Sequence, residues 1–305
     1  MVSGEAVAVK VMLDQQRQHA LRFTREATLL SDLRHPHIVR HIAHGLTDAG
    51  EPYLVMEWLE GEDLSRRLGR GALDVQDALT LTSQVADALA VAHERGIVHR
   101  DLKPSNLFLK GGQVDRVKVL DFGIARLVGA TQLTQANMMI GTPGYMAPEQ
   151  ARSEQAVDAR VDVFALGCVL MECLTGVPAF AGEHVMAVLA KILIHEPPRL
   201  RELRPDLPRE LDALIAQMMA KDRNGRPSDG AAVVAALAAL RARGFVDDEE
   251  ALSSRAALSG RLTGEEQRLL SLVLIGREAP PDGVALTLER SAVLGSDEDM
   301  RRAAE

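Results

Sequence analysis

The sequence predicts an α+β fold, in which a small strand-rich region precedes a larger helical one. Near the start, Val7 and Val9 alternate with more polar or smaller neighbours up to Lys10, which is the two-residue period of a strand. A second apolar strand is predicted at residues 53–56, between a turn and a Gly-marked exit. From residue 74 to residue 243, by contrast, most apolar residues recur at helical spacing.

The remaining elements follow from the same patterns. A helix is predicted at 17–33, and a strand is predicted after the proline break within 34–45. Asp74 is a residue type that caps helices, and it begins the long helix predicted at 74–94. Short strands flank the turn Gly111-Gly112, near residues 106–109 and 117–120. Later helices are predicted at 161–174 (ended by Gly176), 181–194, 208–219 and 228–243.

Composition limits the classes of function. Hydrophobic residues make up 47% of the chain and charged residues 26%, which is typical of a globular protein with a core. The formal net charge of −8 provides no basic footprint, so a nucleic-acid partner is not expected. Cys168 and Cys173 lie in an apolar run, which favours two reduced core thiols over a metal site or disulfide. We expect a cytoplasmic location, since neither a signal-peptide pattern nor an apolar run of about 20 residues is visible.

Four short motifs carry the chemistry: VAVK at 7–10, HRDLKPSN at 99–106, DFG at 121–123 and APE at 147–149. Each alone has an ordinary structural explanation, because a lysine at a strand end is usually solvated and a polar loop is usually only a loop. In this order and at this spacing they match the signature set of protein kinases. Over residues 6–243 the chain therefore resembles the eukaryotic-type serine/threonine protein kinases found in bacteria.

This resemblance implies a bilobal kinase-like fold, ATP and Mg²⁺ as cofactors, and protein substrates. Phosphoryl transfer depends on positioning and charge stabilisation, and Mg²⁺ prefers oxygen ligands. By resemblance, Asn106 and Asp121 would bind Mg²⁺, and Asp101 would accept or orient the substrate hydroxyl proton. Lys103 would reach the γ-phosphate as a point charge.

The resemblance also implies a nucleotide site at the junction of the two lobes. Lys10 would hold the α- and β-phosphates and would be fixed by Glu26 on the following helix. By resemblance, Ala8 and Phe108 would face the adenine, and Met56 would be the gatekeeper residue. The backbone of Glu57 and Leu59 would bind the base, and Asp63 would lie near the ribose.

Other residues resemble structural members of the family's site. Glu149 and Arg226 match a distant ion pair, and Asp162 matches the carboxylate that braces the catalytic loop. Thr142 resembles the threonine that contacts the catalytic aspartate and lysine. His41 departs from the pattern, because the family usually has an apolar residue at this strand position.

Two features concern the acceptor and its control. A lysine two residues after Asp101 is typical of serine/threonine kinases rather than tyrosine kinases. Arg100 before Asp101 is typical of kinases that are regulated by activation-loop phosphorylation. Thr131 and Thr134 are candidate sites, since a phosphate there would pair with Arg100; two unmodified threonines are the alternative.

The family's Gly-rich loop is expected about 20 residues before Lys10, yet only nine residues precede Lys10 in this sequence. We therefore interpret 1–58 as an incomplete N-lobe without its first two strands, and 59–244 as the C-lobe. Either the true start lies upstream, or the chain is a defective kinase or scaffold. We expect little activity from residues 1–305 and substantial activity once those strands are restored.

The C-terminal region has a different composition. Residues 245–264 are polar, acidic and serine-rich, as in a linker. Residues 265–305 are too few for an independent core. They are either a tail with one strand or the start of a truncated second domain, and they weakly resemble the opening strand of class III nucleotide cyclases or regulatory ATPase modules.

Two functions are thus open. The first is transfer of the ATP γ-phosphate to protein serine or threonine, which the complete catalytic set favours. The second is a kinase-like scaffold or binding module that catalyses little, which the absent Gly-rich loop favours.

Overall fold

A computed structural model describes residues 6–11, 27, 31–48, 50–122, 143–154 and 156–242. All of them belong to one compact unit, residues 1–248. The predicted helix at 17–33 lies mostly outside this part of the chain, as do the predicted linker and the C-terminal tail.

The first sheet contains the strands β1 (Val7–Val11), β2 (His41–Leu46) and β3 (Pro52–Glu57). They are antiparallel in the order β1-β3-β2. The register places Lys10 opposite Leu54 and Ala8 opposite Met56. The strand predicted from alternation near residues 6–10 and the apolar strand predicted at 53–56 are thereby confirmed.

A second antiparallel sheet has the order β4-β5-β6, with β4 (Gly61–Asp63), β5 (Leu107–Lys110) and β6 (Val117–Val119). The sequence did not predict β4, because three residues are too few to show a period. Its fit depends on Gly61, whose φ is +139° and where a Cβ would lie 2.1 Å from the Leu109 carbonyl oxygen. Only glycine tolerates this conformation and this close approach.

Residues 37–39 join the two sheets. Ile38 forms a parallel bridge with Val119 of β6. The Val119 N–H donates to the His37 carbonyl at 2.8 Å, and the Val39 N–H donates to the Val119 carbonyl at 3.0 Å. The chain then continues into β2, so this short segment links the second sheet to the first.

The helical region is built around α2 (Val75–Glu94) and α4 (Arg160–Thr175). Asp74 caps α2, accepting from the Asp77 N–H at 2.8 Å as the sequence predicts. Helix α4 is buried on nearly all sides, which is how a helix that is apolar all round behaves in a core. Gly176 ends it in the left-handed conformation, with φ +75°. Its Cys168 and Cys173 are free and buried, and burial raises the pKa of both thiols.

The other helices lie around this pair. The α-helices are α1 (Leu64–Leu68), α3 (Pro148–Ala151), α5 (Val185–Ile194), α6 (Leu200–Leu203), α7 (Arg209–Met218) and α8 (Gly230–Ala242). Short 3₁₀ turns lie at Pro104–Asn106, Val114–Arg116, Pro143–Tyr145 and Arg223–Gly225. The prediction of helix from residue 181 is wrong by four residues, because the chain is still extended at His184 (ψ +150°).

His41, at the first position of β2, occupies an irregular part of the sheet. A register irregularity lies between His41 and Ala43. The Nε2 atom of His41 is buried and has no hydrogen-bond partner among the described residues. Burial, with a smaller contribution from the neighbouring His44, lowers the pKa of His41 and favours a neutral ring.

Candidate active site

Two polar side chains of the loop after α2 converge on one carboxylate oxygen of a third, Asp101. The Lys103 ammonium lies 2.9 Å from Asp101 Oδ2, and Asn106 Nδ2 donates to the same atom at 3.2 Å. Asn106 Nδ2 also donates to the Asp101 carbonyl at 2.8 Å. Pro104 begins the intervening 3₁₀ turn with its fixed φ, and this turn brings Asn106 back to Asp101.

Asp162, the third residue of α4, holds this loop by hydrogen bonds to its backbone. Its two carboxylate oxygens accept the His99 N–H at 2.7 Å and the Arg100 N–H at 2.8 Å. Asp162 is only 1% exposed, so these contacts supply the donors that a buried carboxylate requires. Arg100 has φ +64°, and the brace maintains this unfavourable conformation.

His93 completes the support of Asp162. Its Nδ1 accepts the Gly230 N–H at 3.1 Å, so the opposite nitrogen carries the proton that faces Asp162 Oδ2 at 2.9 Å. This assignment follows from the hydrogen bonds. The start of α8 is thus connected through His93 and Asp162 to the catalytic loop.

His99 connects the loop to β6. Its Nδ1 accepts the Asp101 N–H at 3.3 Å, and its Nε2 donates to the Leu120 carbonyl at 2.8 Å. The ring packs against Phe122 with centroids 4.9 Å apart. Because Asp121 lies between Leu120 and Phe122, these contacts hold it near Asp101.

Lys10 of β1 meets Asp121, with Nζ 2.8 Å from Oδ2. The two side chains are 42% and 33% exposed, so this ion pair faces an open site. Asp121 has φ +52°, another strained residue beside the loop. Glu26, the expected partner of Lys10, lies outside the described residues, as do Thr131, Thr134 and Thr142.

Asn106 and Asp121 fit a Mg²⁺ ion by their chemistry. Since Asn106 Nδ2 makes both hydrogen bonds to Asp101, the amide presents Oδ1 as its acceptor oxygen. An amide oxygen and a carboxylate are hard ligands that Mg²⁺ accepts together with phosphate oxygens. Within the described ranges, no group of three or more His, Cys, Asp or Glu side chains forms a metal site of its own.

The residues expected around the base lie in both sheets. Ala8 pairs with Met56 in the first sheet, and Phe108 pairs with Asp63 in the second. Leu59 lies between the two sheets, in the segment that connects β3 to β4.

Two of these residues are already engaged. The Glu57 N–H donates to the Arg40 carbonyl at 3.0 Å, so a base contact at Glu57 would use its carbonyl. Asp63 Oδ1 accepts the Arg66 N–H at 2.9 Å and caps α1, so a ribose contact would use Oδ2.

Gln150 is a site residue that the sequence motifs did not indicate. Its Nε2 donates to the Arg100 carbonyl at 2.9 Å, and its Oε1 accepts the Ala147 N–H at 3.1 Å. It therefore ties α3 to the catalytic loop. The available signal was a glutamine three residues after the helix N-cap, which is the capping-box position.

Comparison with known families decides the classification. The family profile described as "Protein kinase domain" matches residues 1–239. The chain belongs to the protein kinase domain family. Its small antiparallel lobe and larger helical lobe are the kinase fold that the sequence predicts.

Relatives of this kinase domain include bacterial proteins named as serine/threonine-protein kinases. PkaA of Streptomyces coelicolor is 41% identical over 232 residues, covering 74% of this chain and 41% of that protein. PknB of Mycobacterium leprae is 39% identical over 228 residues, covering 72% and 36%. This chain thus spans about two fifths of the length of these relatives.

A solved structure also matches this kinase domain. The crystal structure of Rad53 1–466 in complex with AMP-PNP has a TM-score of 0.62 and 28% identity. The match covers 76% of this chain and 57% of that one. No helix in the described part of the chain is both long and apolar enough to cross a membrane.

Proposed function

We propose that this kinase domain transfers the γ-phosphoryl group of ATP to serine and threonine hydroxyls of protein substrates. The observation that carries the proposal is the cluster of Asp101, Lys103 and Asn106 around one carboxylate oxygen, which His99 connects to the segment that carries the Lys10–Asp121 pair. A base, two cations and two metal-binding oxygens are the groups that phosphoryl transfer needs. Family membership and the named relatives support it.

Asp101 would orient the attacking hydroxyl and take its proton. Lys103 Nζ, 2.9 Å from Asp101 Oδ2, fixes the carboxylate and places a positive charge where the transferred group is most negative. Asn106 holds the same carboxylate by its amide nitrogen. The hydrogen bonds thus restrict Asp101 to one arrangement before substrate binds.

ATP and Mg²⁺ are the cofactors that we propose. When bound, Mg·ATP supplies the phosphoryl group and neutralises part of its charge. Asn106 Oδ1 and Asp121 would hold the metal, and Lys10 would hold the α- and β-phosphates. Ala8, Phe108, Met56, Leu59, the Glu57 carbonyl and Asp63 Oδ2 would surround the nucleoside.

Regulation by phosphorylation at Thr131 or Thr134 is a further part of the proposal. Arg100, beside the catalytic aspartate, supports it because a phosphate pairs strongly with a guanidinium. Phosphopeptide mapping of active protein should find one of the two threonines occupied. If neither is occupied, this part of the proposal is wrong.

The domain division and location are also proposals. The family match ends at residue 239, which supports a C-lobe boundary near residue 244 and a separate character for 245–305. Two free, buried cysteines agree with a reducing compartment, which supports a cytoplasmic location. Cell fractionation tests the location, and recovery in the membrane fraction would contradict it.

The acceptor class is tested with a serine-, threonine- and tyrosine-containing peptide library and Mg·[γ-³²P]ATP. Because the family resemblance implies a Gly-rich loop over the phosphates and residues 1–305 contain no such pattern, the assay compares residues 1–305 with a form preceded by a designed hairpin carrying G-x-G-x-x-G-x-V. We expect label on serine and threonine, loss of label in Asp121→Asn, and a higher rate in the extended form. Label on tyrosine alone would exclude the proposed acceptor. No transfer in either form would favour the scaffold alternative.

A further inference from the structure

Lys118 of β6 makes contacts that the proposed catalytic set leaves unexplained. Its ammonium donates to Glu57 Oε1 at 3.0 Å and to the Ile38 carbonyl at 3.2 Å. The Lys118 and Glu57 side chains are only 15% and 16% exposed. A largely buried lysine with two acceptors on different segments is a specific connection rather than a surface charge.

Glu57 is the meeting point of the connection. Its Oε1 accepts the Arg40 N–H at 2.7 Å as well as Lys118 Nζ. In return, the Glu57 N–H donates to the Arg40 carbonyl at 3.0 Å. Although burial raises the pKa of Glu57, hydrogen bonds from Arg40 and Lys118 lower it below the usual range, so the side chain is a carboxylate.

The connected segments carry the two ends of the proposed nucleotide site. Glu57 ends β3, where the base would bind, and Lys118 lies three residues before Asp121, where the metal would bind. Residues 37–39 lie between them, hydrogen-bonded to β6 through Val119. Lys118 therefore connects the base-binding strand to the metal-binding strand through side-chain and backbone contacts.

We propose that Lys118 is a positioning residue for the nucleotide: through Glu57 and the Ile38 carbonyl, it fixes the spacing between the base-binding and metal-binding strands. Lys118 is not among the residues proposed to contact the transferred phosphoryl group or the acceptor hydroxyl, so its effect should fall on ATP affinity rather than on the acceptor peptide. This inference rests on the proposed function.

The test measures the dissociation constant of Mg·ATP by titration calorimetry with the full 305-residue chain. Lys118→Met should raise this constant roughly tenfold, because it removes hydrogen bonds of a charged group. Lys118→Arg should restore most of the affinity, since it keeps the charge and the donors. In Lys118→Met/Glu57→Gln the loss should be no greater than in the worse single variant, because both residues act through one interaction.

Lys110→Met is the matched control. The charge of Lys110 also lowers the pKa of Glu57, so this variant removes a like charge and leaves the hydrogen bonds of Glu57 to Arg40 and Lys118 intact. Its Mg·ATP affinity should change less than about twofold. An equal loss in Lys110→Met and Lys118→Met would overturn the inference, because general electrostatics would then explain both.

Other outcomes separate this inference from the proposed function. If wild-type protein does not bind Mg·ATP, the proposed function fails and the inference fails with it. If wild type binds and Lys118→Met binds equally well or better, only the inference is overturned, since the contact is then structural or restraining. A lower melting temperature with unchanged ATP affinity would likewise overturn the inference alone.

Discussion

Arg226 and Glu149, 77 residues apart, form a buried two-point ion pair, with Nη1–Oε1 at 2.7 Å and Nη2–Oε2 at 3.0 Å. Their side chains are 0% and 4% exposed. The remaining donors of Arg226 reach the carbonyls of Ala220, Arg160 and Lys221. Because each charge is compensated, the pair can fix α3, and with it Gln150, against the loop before α8.

Arg226→Met should lower the free energy of unfolding by about 3–5 kcal/mol, because it leaves the Glu149 carboxylate buried without its cation. Urea unfolding followed by circular dichroism measures the change. Arg223→Met is the control, since Arg223 lies 3.6 Å from Glu154 with side chains 36% and 35% exposed. The control should cost less than about 1 kcal/mol. Equal losses of unfolding free energy in the two variants would show that the buried pair stabilises the fold no more than the exposed one.

Asp162→Ala should lower both stability and turnover. It removes the acceptor of the His99 and Arg100 N–H groups, and each buried unsatisfied donor costs about 1–3 kcal/mol. Amide hydrogen exchange should show faster exchange at residues 99–100 in the variant. Asp158→Ala, at a half-exposed carboxylate before α4, should leave those amides unchanged. Unchanged exchange in Asp162→Ala would contradict the bracing role.

Gly230→Ala should destabilise the helical lobe, because α8 approaches α2 at this residue. A Cβ there would lie 2.4 Å from the Ala86 carbonyl oxygen and 2.5 Å from the Ala90 nitrogen, both rigid backbone atoms. Thermal unfolding should show that the free energy of unfolding falls by about 1–3 kcal/mol or more. At Gly225 the nearest atom is 3.5 Å away, so Gly225→Ala is a control that should cost much less. If Gly230→Ala lowered the free energy of unfolding no more than Gly225→Ala, then α8 and α2 could move apart at little energetic cost, which would contradict the prediction.

Glu172 should make stability fall as pH rises. Burial raises the pKa of its carboxyl, outweighing the hydrogen bond from the Tyr145 hydroxyl. The native state therefore binds this proton more tightly than the unfolded state. The contribution is fully present below the ordinary glutamate value of about 4.3 and is lost as pH rises through the higher native value.

Glu172→Gln isolates this effect. Glutamine can still accept from Tyr145 but does not titrate, so the variant should gain stability relative to wild type as pH rises across that window. Urea unfolding at a series of pH values gives the difference between the two proteins. A difference that is constant with pH would contradict a raised pKa.

Much of the fold could be predicted because its elements are long and periodic. Helix α2 and its Asp74 cap, helix α4 and its Gly176 end, and strand β3 all follow from local patterns. Strand β4 and helix α1 do not, because three to five residues carry no measurable period. The position of β4 also depends on its pairing with β5.

The site shows the same division. Asp101, Lys103, Asn106 and Asp121 come from compact motifs. The structure joins the first three by hydrogen bonds and pairs Asp121 with Lys10. Lys118 and Gln150 were not predicted, because the family resemblance assigns neither a role and their partners lie 61 and 50 residues away in the chain. The Glu149–Arg226 pair, 77 residues apart, could be predicted only because the resemblance matches both of its residues. The predicted Lys10–Glu26 pair stays a prediction.

The proposed role of Asp101 as the residue that orients and deprotonates the acceptor hydroxyl is tested by the rate of γ-phosphate transfer to a threonine peptide. The measurement compares the hairpin-extended chain with its Asp101→Asn variant at saturating Mg·ATP. We expect the variant to bind Mg·ATP with a dissociation constant within about threefold of that of the parent. It should transfer phosphate at least about 100-fold more slowly. Equal transfer rates in the two proteins would contradict it.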